Sequence, residues 1–336
     1  MPPRCREIRL VARPKGLPER DDFDVAETTV PEPAGGEVLV RNVYLSVDPY
    51  MRPRMSEIRS YTESFALDEP MTGGAVGRVE ASRNAAFAEG DWVLHSLGWR
   101  EWALLDGSGM RRIDPTDAPV STALGVLGMP GFTAWYGLFE IGRPREGDTV
   151  FVSGAAGAVG SAAGQMARIA GCRVVGSAGS ADKLAWLKEL GFDGAFDYRE
   201  QKVRTALAEL APDGIDVYFD NVGGAHLEAA IGAMRDHGRI VACGSISTYN
   251  DVEPGSGPRN LFLVVTKRLL LQGFIIRDHY DRFREFHEQA REWVADGRLR
   301  HRETVVEGIE NAPGAFVGLL RGENVGKMLV KVGPDE

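Results

Sequence analysis

The chain has 336 residues, an apolar share of 43% and a formal charge of −9, which is length enough for two domains with sizeable cores. Both signs of charge are interspersed, which argues against nucleic acid or an anionic membrane as the main partner. No long apolar run and no basic-then-apolar N-terminus marks a membrane span or a secretion signal, and the odd, scattered set Cys5, Cys172 and Cys243 suits reduced thiols in a cytoplasmic protein.

Residues 1 to about 120 read as β-rich. REIRLVARP, DFDVAETTVPEP, GEVLVRNVYLSVDPYMR, GGAVGRVEAS and GDWVLHSLGWREWALL alternate apolar and polar residues between Pro, Gly and Asp turns. This predicts a small, mostly antiparallel barrel or sandwich with no useful helix before Ser121. Asp48-Pro49-Tyr50-Met51-Arg52 sets a charged, aromatic cluster at a strand end. It reads equally as a turn capped by Asp48 and as part of a cleft.

The texture changes near Ser121, and the domain boundary is placed at 122/123. GVLGMPGFTAWYGLFEIG, with Met129 near its middle, is an apolar helical entry. Strand candidates then alternate with helical segments: Thr149–Val152, Arg173–Ser177, Ala195–Tyr198, Ile215–Asn221, Arg239–Gly244 and Leu269–Ile276. Six strands joined by crossovers predict an α/β, doubly wound parallel sheet, whose ligands lie beyond the carboxyl ends of the strands.

The stretch TVFVSGAAGAVGSAAGQMARIAG, from Thr149 to Gly171, has the order of strand, glycine turn and helix that a dinucleotide pyrophosphate requires. Glycines let the turn tighten, let a phosphate reach backbone N–H groups and let the helix pack on the strand. The candidate cradle is Gly154, Ala156, Gly157, Ala158 and Val159. Its spacing, G-x-x-G-x-x-G, departs from G-x-G-x-x-G, so a purely structural βα turn is the competing reading.

The acidic residue expected about 20 positions on, which would bond a free ribose hydroxyl, is missing. Instead Gly179, Ser180 and Lys183 follow the second strand, a set suited to a 2′-phosphate and so to NADPH over NADH. The competing reading makes Ser180 a helix cap and Lys183 a solvated lysine. The residues after the other strands are Tyr198, Asn221-Val222-Gly223-Gly224 and Cys243 through Asn250.

Further on, Phe283, Phe286, Ala290 and Trp293 form one stripe of a helix over Tyr280–Ala295, read as packing. The Pro/Gly/Ser loop Glu253–Pro258 could border a cleft. From Leu299 strand texture returns, and 299–336 is assigned to the first domain, leaving 123–298 as the second.

These residues resemble the medium-chain dehydrogenase/reductase superfamily and, within it, the zinc-independent, NADPH-dependent alkenal/one reductases. The strings that carry the likeness are VDPYMR (Val47–Arg52), MTGGAVGRV (Met71–Val79), GMPGFTAWYGL (Gly128–Leu138), SGAAGAVGS (Ser153–Ser161), GSAGSADK (Gly176–Lys183), FDNVGG (Phe219–Gly224), CGSISTYN (Cys243–Asn250) and NVGKMLV (Asn324–Val330).

The resemblance implies a GroES-like β-rich catalytic domain completed by the C-terminal segment, an inserted Rossmann domain and an active site between them. It implies NADPH, with Lys183 and Tyr198 near the 2′-phosphate, and with Asn221, Cys243, Gly244, Ser245, Tyr249 and Asn324 along the nicotinamide half. It also implies hydride transfer to the β-carbon of an enone, an enolate intermediate and protonation at the α-carbon.

A tyrosine hydroxyl donates without being charged and suits the growing enolate oxygen. Tyr249 is the candidate, against a reading in which its ring only packs, and Tyr50 is the second aromatic. Tyr50, Tyr249 and Met129 are the candidate substrate contacts. Tyr61, Phe65, Trp99, Leu261 and Phe262 do not convert into a ligand's shape and read more readily as packing. Apolar residues there would suggest a small hydrophobic enone or enal.

Zinc is not expected: no CxxC occurs, and His95, His226, His237, His279, His287 and His301 are scattered. No G-x-S-x-G elbow suggests a hydrolase. A quinone reductase and a non-catalytic NADPH-binding protein are the competing functions. A homodimer is implied by resemblance, by edge pairing of Leu269–Ile276.

Overall fold

The computed structural model describes residues 3–58, 60–253 and 255–335. The chain divides into one unit of residues 1–124 with 303–336 and a second of residues 125–302. The sequence reading set these divisions at 122/123 and 298/299. The loop read at Glu253–Pro258 includes residue 254, outside the described residues.

In the first unit the alternating segments form β1 (Arg4–Leu10), β2 (Phe23–Thr29), β3 (Val38–Ser46), β4 (Ala75–Ser82), β5 (Trp92–His95), β6 (Trp102–Leu105) and β7 (Arg111–Ile113). The second unit carries β8 (Thr149–Val152), β9 (Arg173–Ala178), β10 (Gly194–Asp197), β11 (Ile215–Asp220), β12 (Met234–Ala242) and β13 (Leu270–Gly273). The chain then returns with β14 (Glu303–Glu307) and β15 (Lys327–Lys331).

β1 and β2 pair antiparallel, and the larger sheet of the first unit runs β14-β15-β3-β4-β5-β7, with β6 also on β3. The terminal strand β15 pairs antiparallel with β3, Val330 opposite Leu45. Trp99, fully buried, stacks on Phe23 and meets Phe316 edge-on in the core of this unit. Trp99 and Phe65 are thus core residues, as the packing reading has it, whereas Tyr61, Leu261 and Phe262 are exposed.

His95 is buried beside Asn42: its Nε2 lies 2.9 Å from Asn42 Oδ1, and its Nδ1 accepts from the Leu97 amide at 3.1 Å. Accepting at Nδ1 fixes a neutral ring that donates from Nε2. Burial, helped by Arg100, lowers its pKa from 6.5 to about 3. Because the unfolded chain binds the proton more readily between those values, stability falls as pH drops below about 6.5 and flattens only near the folded value. A His95→Gln variant is therefore expected to show a shallower loss of Tm between pH 7 and pH 4.5 than the parent, whatever its offset at pH 7.

The six strands of the second unit run parallel in the order β10-β9-β8-β11-β12-β13, with the first strand of the unit at the centre. Reversal of strand order beside β8 is the switch point at which doubly wound sheets bind ligands. Helices α1 (Met129–Tyr136), α2 (Ala158–Ile169), α3 (Ala181–Glu189), α4 (Val203–Leu210), α5 (Gly224–Ala233), α6 (Phe262–Thr266) and α7 (Phe283–Ala295) belong to this unit, and α8 (Ala312–Arg321) to the first.

α7 starts at the first residue of its apolar stripe, three residues later than the Tyr280 start read from sequence, because Ile276–Arg282 is 3-10 with a non-helical His279 (φ −126°, ψ 19°). Its Phe286 packs with Phe132 and Trp135 of α1. β12 starts earlier than read, at Met234. Its first half is charged, and His237, at φ +62°, bends it. β13 is shorter than read and lies at the sheet edge with Leu270 and Leu271 exposed.

Among the described residues no helix is long and apolar enough to cross a membrane, and no group of three or more His, Cys, Asp or Glu is placed to hold a metal ion.

Candidate cofactor site and catalytic residues

β8 is buried along its length and ends at Val152, and from Ser153 the chain turns into α2. Gly154 makes that turn at φ +59°, a region costly for residues with a Cβ. A Cβ on Gly160 would lie 2.4 Å from the Gly154 carbonyl oxygen, so the first turn of α2 packs directly on the loop. Gly157 is the N-cap and offers no side-chain acceptor. The first amides of α2, from Ala158 and Val159 onward, therefore stand at a positive helix end without a side-chain cap, an arrangement suited to an anionic pyrophosphate.

The loop is held from two sides: the Ala155 amide donates to Ser177 O at 2.9 Å, and Ala156 is buried. The Ser177 hydroxyl itself is buried with no protein partner.

At the end of β9, Ala178-Gly179-Ser180 carries no acid. Ser180 caps α3, accepting from the Lys183 amide at 3.4 Å, so the capping reading holds for its side chain. Lys183 is half-buried; burial and the nearby Arg199 lower its pKa, against the pull of Asp197. A Cβ on Gly179 would come within 3.0 Å of the Tyr198 ring, which places that phenol beside the strand end. Tyr198 is 39% exposed and meets His226 edge-on at 5.2 Å. His226 is buried with Nε2 unpartnered.

Two cations and a phenol beside an acid-free strand end fit the 2′-phosphate of NADPH and leave a free ribose diol without its usual acceptor. The residues present thus fit a phosphorylated dinucleotide. Lys183→Ala is expected to weaken NADPH binding about tenfold, on the order of one charge-assisted contact, and to leave NADH binding nearly unchanged in a fluorescence titration.

Beyond β11 the sequence reading missed a buried network. Asp220 Oδ1 accepts from Tyr218 Oη at 2.6 Å, Ser153 Oγ at 3.2 Å, the Val222 amide at 3.0 Å and the Gly223 amide at 2.8 Å. Asn221 is fixed in turn: its amide donates to Ser153 Oγ at 3.0 Å and its Nδ2 to Ser153 O at 2.8 Å. Asp220 is thereby spent holding the Asn221 turn against the glycine loop. β11 carries two acids, Asp216 and Asp220, and nothing local in the sequence singles out the second.

Beyond β12, Cys243 and Gly244 both donate backbone N–H to Asp220 O, at 2.9 and 3.0 Å. Burial, with Asp220, pushes the Cys243 thiol up to about 12, which makes it a poor nucleophile at neutral pH. Ser245 Oγ lies 3.0 Å from Thr248 Oγ1, and Ser247 Oγ donates to Val222 O at 2.6 Å. Tyr249 follows a short 3-10 turn, Ile246–Thr248, and folds back so that its hydroxyl accepts from the Ser245 amide at 3.4 Å. The fold thus brings Gly154, Asn221, Gly244 and Ser245 to one end of the sheet, with the Tyr249 phenol against Gly244 and Ser245. Met129 is half-buried at the first position of α1.

In the first unit, Tyr50 lies in a 3-10 turn, Pro49–Met51, half-buried against the core. Asp48 is the N-cap residue of that turn, but its carboxylate makes no capping bond, contrary to the capping reading. It is turned inward to Ser46 and Lys327. Asn324 is buried, its Nδ2 donating to Gly326 O at 2.7 Å.

Two family models match the chain: N-terminal domain of oxidoreductase over residues 6–113 and zinc-binding dehydrogenase over 158–295. The chain is 42% identical to an NADPH-dependent curcumin reductase of Escherichia coli, over 99% of this chain and 98% of that one. It is 44% identical to an NADP-dependent 2-alkenal reductase of Nicotiana tabacum, over 94% of each. Among solved structures, CurA of Vibrio vulnificus in complex with NADPH superposes with a TM-score of 0.94 at 45% identity, covering 98% of this chain and 99% of that one.

Proposed function

We propose, for a chain that belongs to the medium-chain dehydrogenase/reductase superfamily and within it to the NADPH-dependent alkenal/one reductases, that it reduces the carbon–carbon double bond of α,β-unsaturated ketones and aldehydes. The chain is an NADP-dependent oxidoreductase. Gly154, Ala156, Gly157, Ala158 and Val159 would hold the pyrophosphate, and Gly179, Ser180, Lys183 and Tyr198 the adenosine 2′-phosphate. Asn221, Cys243, Gly244, Ser245, Tyr249 and Asn324 would lie along the nicotinamide half.

Bound NADPH supplies the hydride that reaches the β-carbon of the enone. As negative charge moves to the carbonyl oxygen, the Tyr249 hydroxyl donates to it, and the α-carbon takes its proton from solvent or from a ribose hydroxyl. Tyr50 and Met129 contribute contacts to a hydrophobic enone or enal.

The observation that carries this reading is the placement of Tyr249. A neutral donor follows the strand next to Asn221, fixed by the loop's own hydrogen bonds at the end of the sheet where the cradle opens. The reaction we propose uses no zinc. Cys5 and Cys172 are buried, and burial raises all three thiols; His95 is spent on Asn42 and Leu97.

The test is loss of NADPH or NADH absorbance with a 2-alkenal, an aryl enone, a quinone and a saturated ketone. Enone-dependent NADPH loss with a saturated carbonyl product is the expected result. Activity on the quinone alone would replace the reading with quinone reduction, and tight NADPH binding without turnover would replace it with a non-catalytic role.

The proposed partner at the β13 edge is a second copy of this chain, since an exposed strand carrying Leu270 and Leu271 offers backbone and apolar surface together. Sedimentation at the mass of two chains is expected, with Leu271→Lys shifting it to one.

A further inference from the structure

We propose that Asp48 and Lys327 are positioning residues, a buried ion pair that fixes the turn bearing Tyr50 against the segment bearing Asn324. The inference rests on the reading of those two residues as belonging to the substrate and nicotinamide side.

The Lys327 ammonium has three N–H groups and three acceptors. It donates to Val47 O at 2.7 Å and to Met328 O at 2.7 Å, and lies 3.3 Å from Asp48 Oδ1. Asp48 also accepts from Ser46 Oγ. Both charged side chains are more than nine-tenths buried. Burial lowers the Lys327 pKa while Asp48 acts to raise it.

An ammonium fully used on acceptors inside its own unit has no hydrogen to offer a ligand. A buried ion pair is also weak evidence for stability, because apolar replacements of both partners are often neutral. What this pair does is connect. Val47 and Asp48 lead directly into Tyr50, whereas Lys327 opens β15 just after Asn324. These stretches lie at opposite ends of the sequence.

The other side of Tyr50 is anchored separately. Met51 is fully buried, its Cε where a Cβ on Gly73 would be, and the Arg52 guanidinium donates to Gly16 O at 2.7 and 3.2 Å. Asn324 is likewise bracketed. The Val325 amide donates to Thr304 Oγ1 at 3.0 Å, Thr304 Oγ1 donates to Val325 O at 2.9 Å, and Lys327 follows. The two bracketed segments already meet through the β15–β3 ladder and the bond from the Val47 amide to Met328 O at 3.2 Å, and the ion pair adds the side-chain tie at the end nearest Tyr50 and Asn324. Loss of it leaves the backbone ladder in place but releases the turn beyond Asp48, so that Tyr50 is held less firmly against a substrate, an effect on binding more than on the chemical step.

The test compares the wild type with the double variant Asp48→Asn/Lys327→Met, which leaves no unpaired buried charge, and with Ser46→Ala. Expected for the double variant is a Tm within a few degrees of the parent. The KM for a 2-alkenal should rise about tenfold with a smaller change in kcat. Wild-type KM and kcat in a folded double variant would overturn the proposal, because the pair would then be exchangeable packing.

Should the double variant not fold, Ser46→Ala decides, with a KM raised several-fold at unchanged Tm expected and an unchanged KM overturning. A wild type without enal turnover would sink the proposed function instead. The pair is then judged by fluorine NMR of 3-fluorotyrosine placed at Tyr50. One sharp line in the parent and a broadened or split line in the double variant support it, and identical lines overturn it.

Discussion

Tyr249→Phe is expected to lower kcat by about 30-fold to about 1,000-fold, equivalent to ~2–4 kcal/mol, with NADPH affinity changed less than about twofold. The size follows from what the hydroxyl does. Negative charge builds on the enone oxygen only as the hydride arrives, so a donor aimed there acts on the transition state far more than on the bound substrate.

Removing one oxygen leaves the ring, and with it any packing over the nicotinamide. The contact from the Ser245 N–H that goes with it is, at 3.4 Å, at the long limit of a hydrogen bond. The loop's remaining ties, Ser245 to Thr248 and Ser247 to Val222, are untouched. A fall in kcat and kcat/KM together is therefore the signature of a donor. Unchanged turnover would leave Tyr249 as a packing ring and remove it from the mechanism.

The sequence showed this sheet and its glycine turn plainly, because there each level of structure agrees. β8 runs Thr149–Val152 as read, the periodicity changes from two to 3.6 across the turn, and the helix begins at Ala158, straight after Gly157 and with Gly160 in its first turn. Agreement failed where charge hides burial. The first half of β12 reads Arg235, Asp236, His237, so no apolar alternation marks it, and the ladder with β11 passes from Met234 to Arg239 across a register shift.

Asp220 and Lys327 were invisible for a related reason. An acid on a strand and a lysine in a terminal strand read as solvated faces, and only the fold brings Tyr218 and Ser153 to one, and Val47 and Asp48 to the other. Buried charge is recognisable once its partners are known, and these partners lie 2 to 280 positions away in sequence. The acid missing after β9 was readable from sequence, since it is a local comparison with a fixed fingerprint, whereas Arg199 beside Lys183 was not.

The three glycines of the turn, alike in sequence, are expected to respond differently to alanine. At Gly160 a Cβ would sit 2.4 Å from the Gly154 oxygen and 2.9 Å from Ala155 Cα, both backbone atoms that cannot rotate aside. Gly160→Ala must lift α2 off the loop, at about 1–3 kcal/mol for an overpacked core, and it misplaces the amides that would hold the pyrophosphate. Both Tm and NADPH affinity should fall, the latter at least about tenfold on the scale of one misplaced set of charge-assisted contacts.

At Gly157 the nearest atom to a Cβ is the same oxygen at 3.4 Å, an ordinary contact, and no positive φ is required. The protein therefore has room for Gly157→Ala, and any penalty must come from the ligand. Unchanged Tm with weakened NADPH binding would place a phosphate against residue 157. Unchanged Tm with unchanged binding would put the pyrophosphate nearer Ala158 and Val159, and a fall in Tm for Gly157→Ala equal to that of Gly160→Ala would contradict the packing geometry itself.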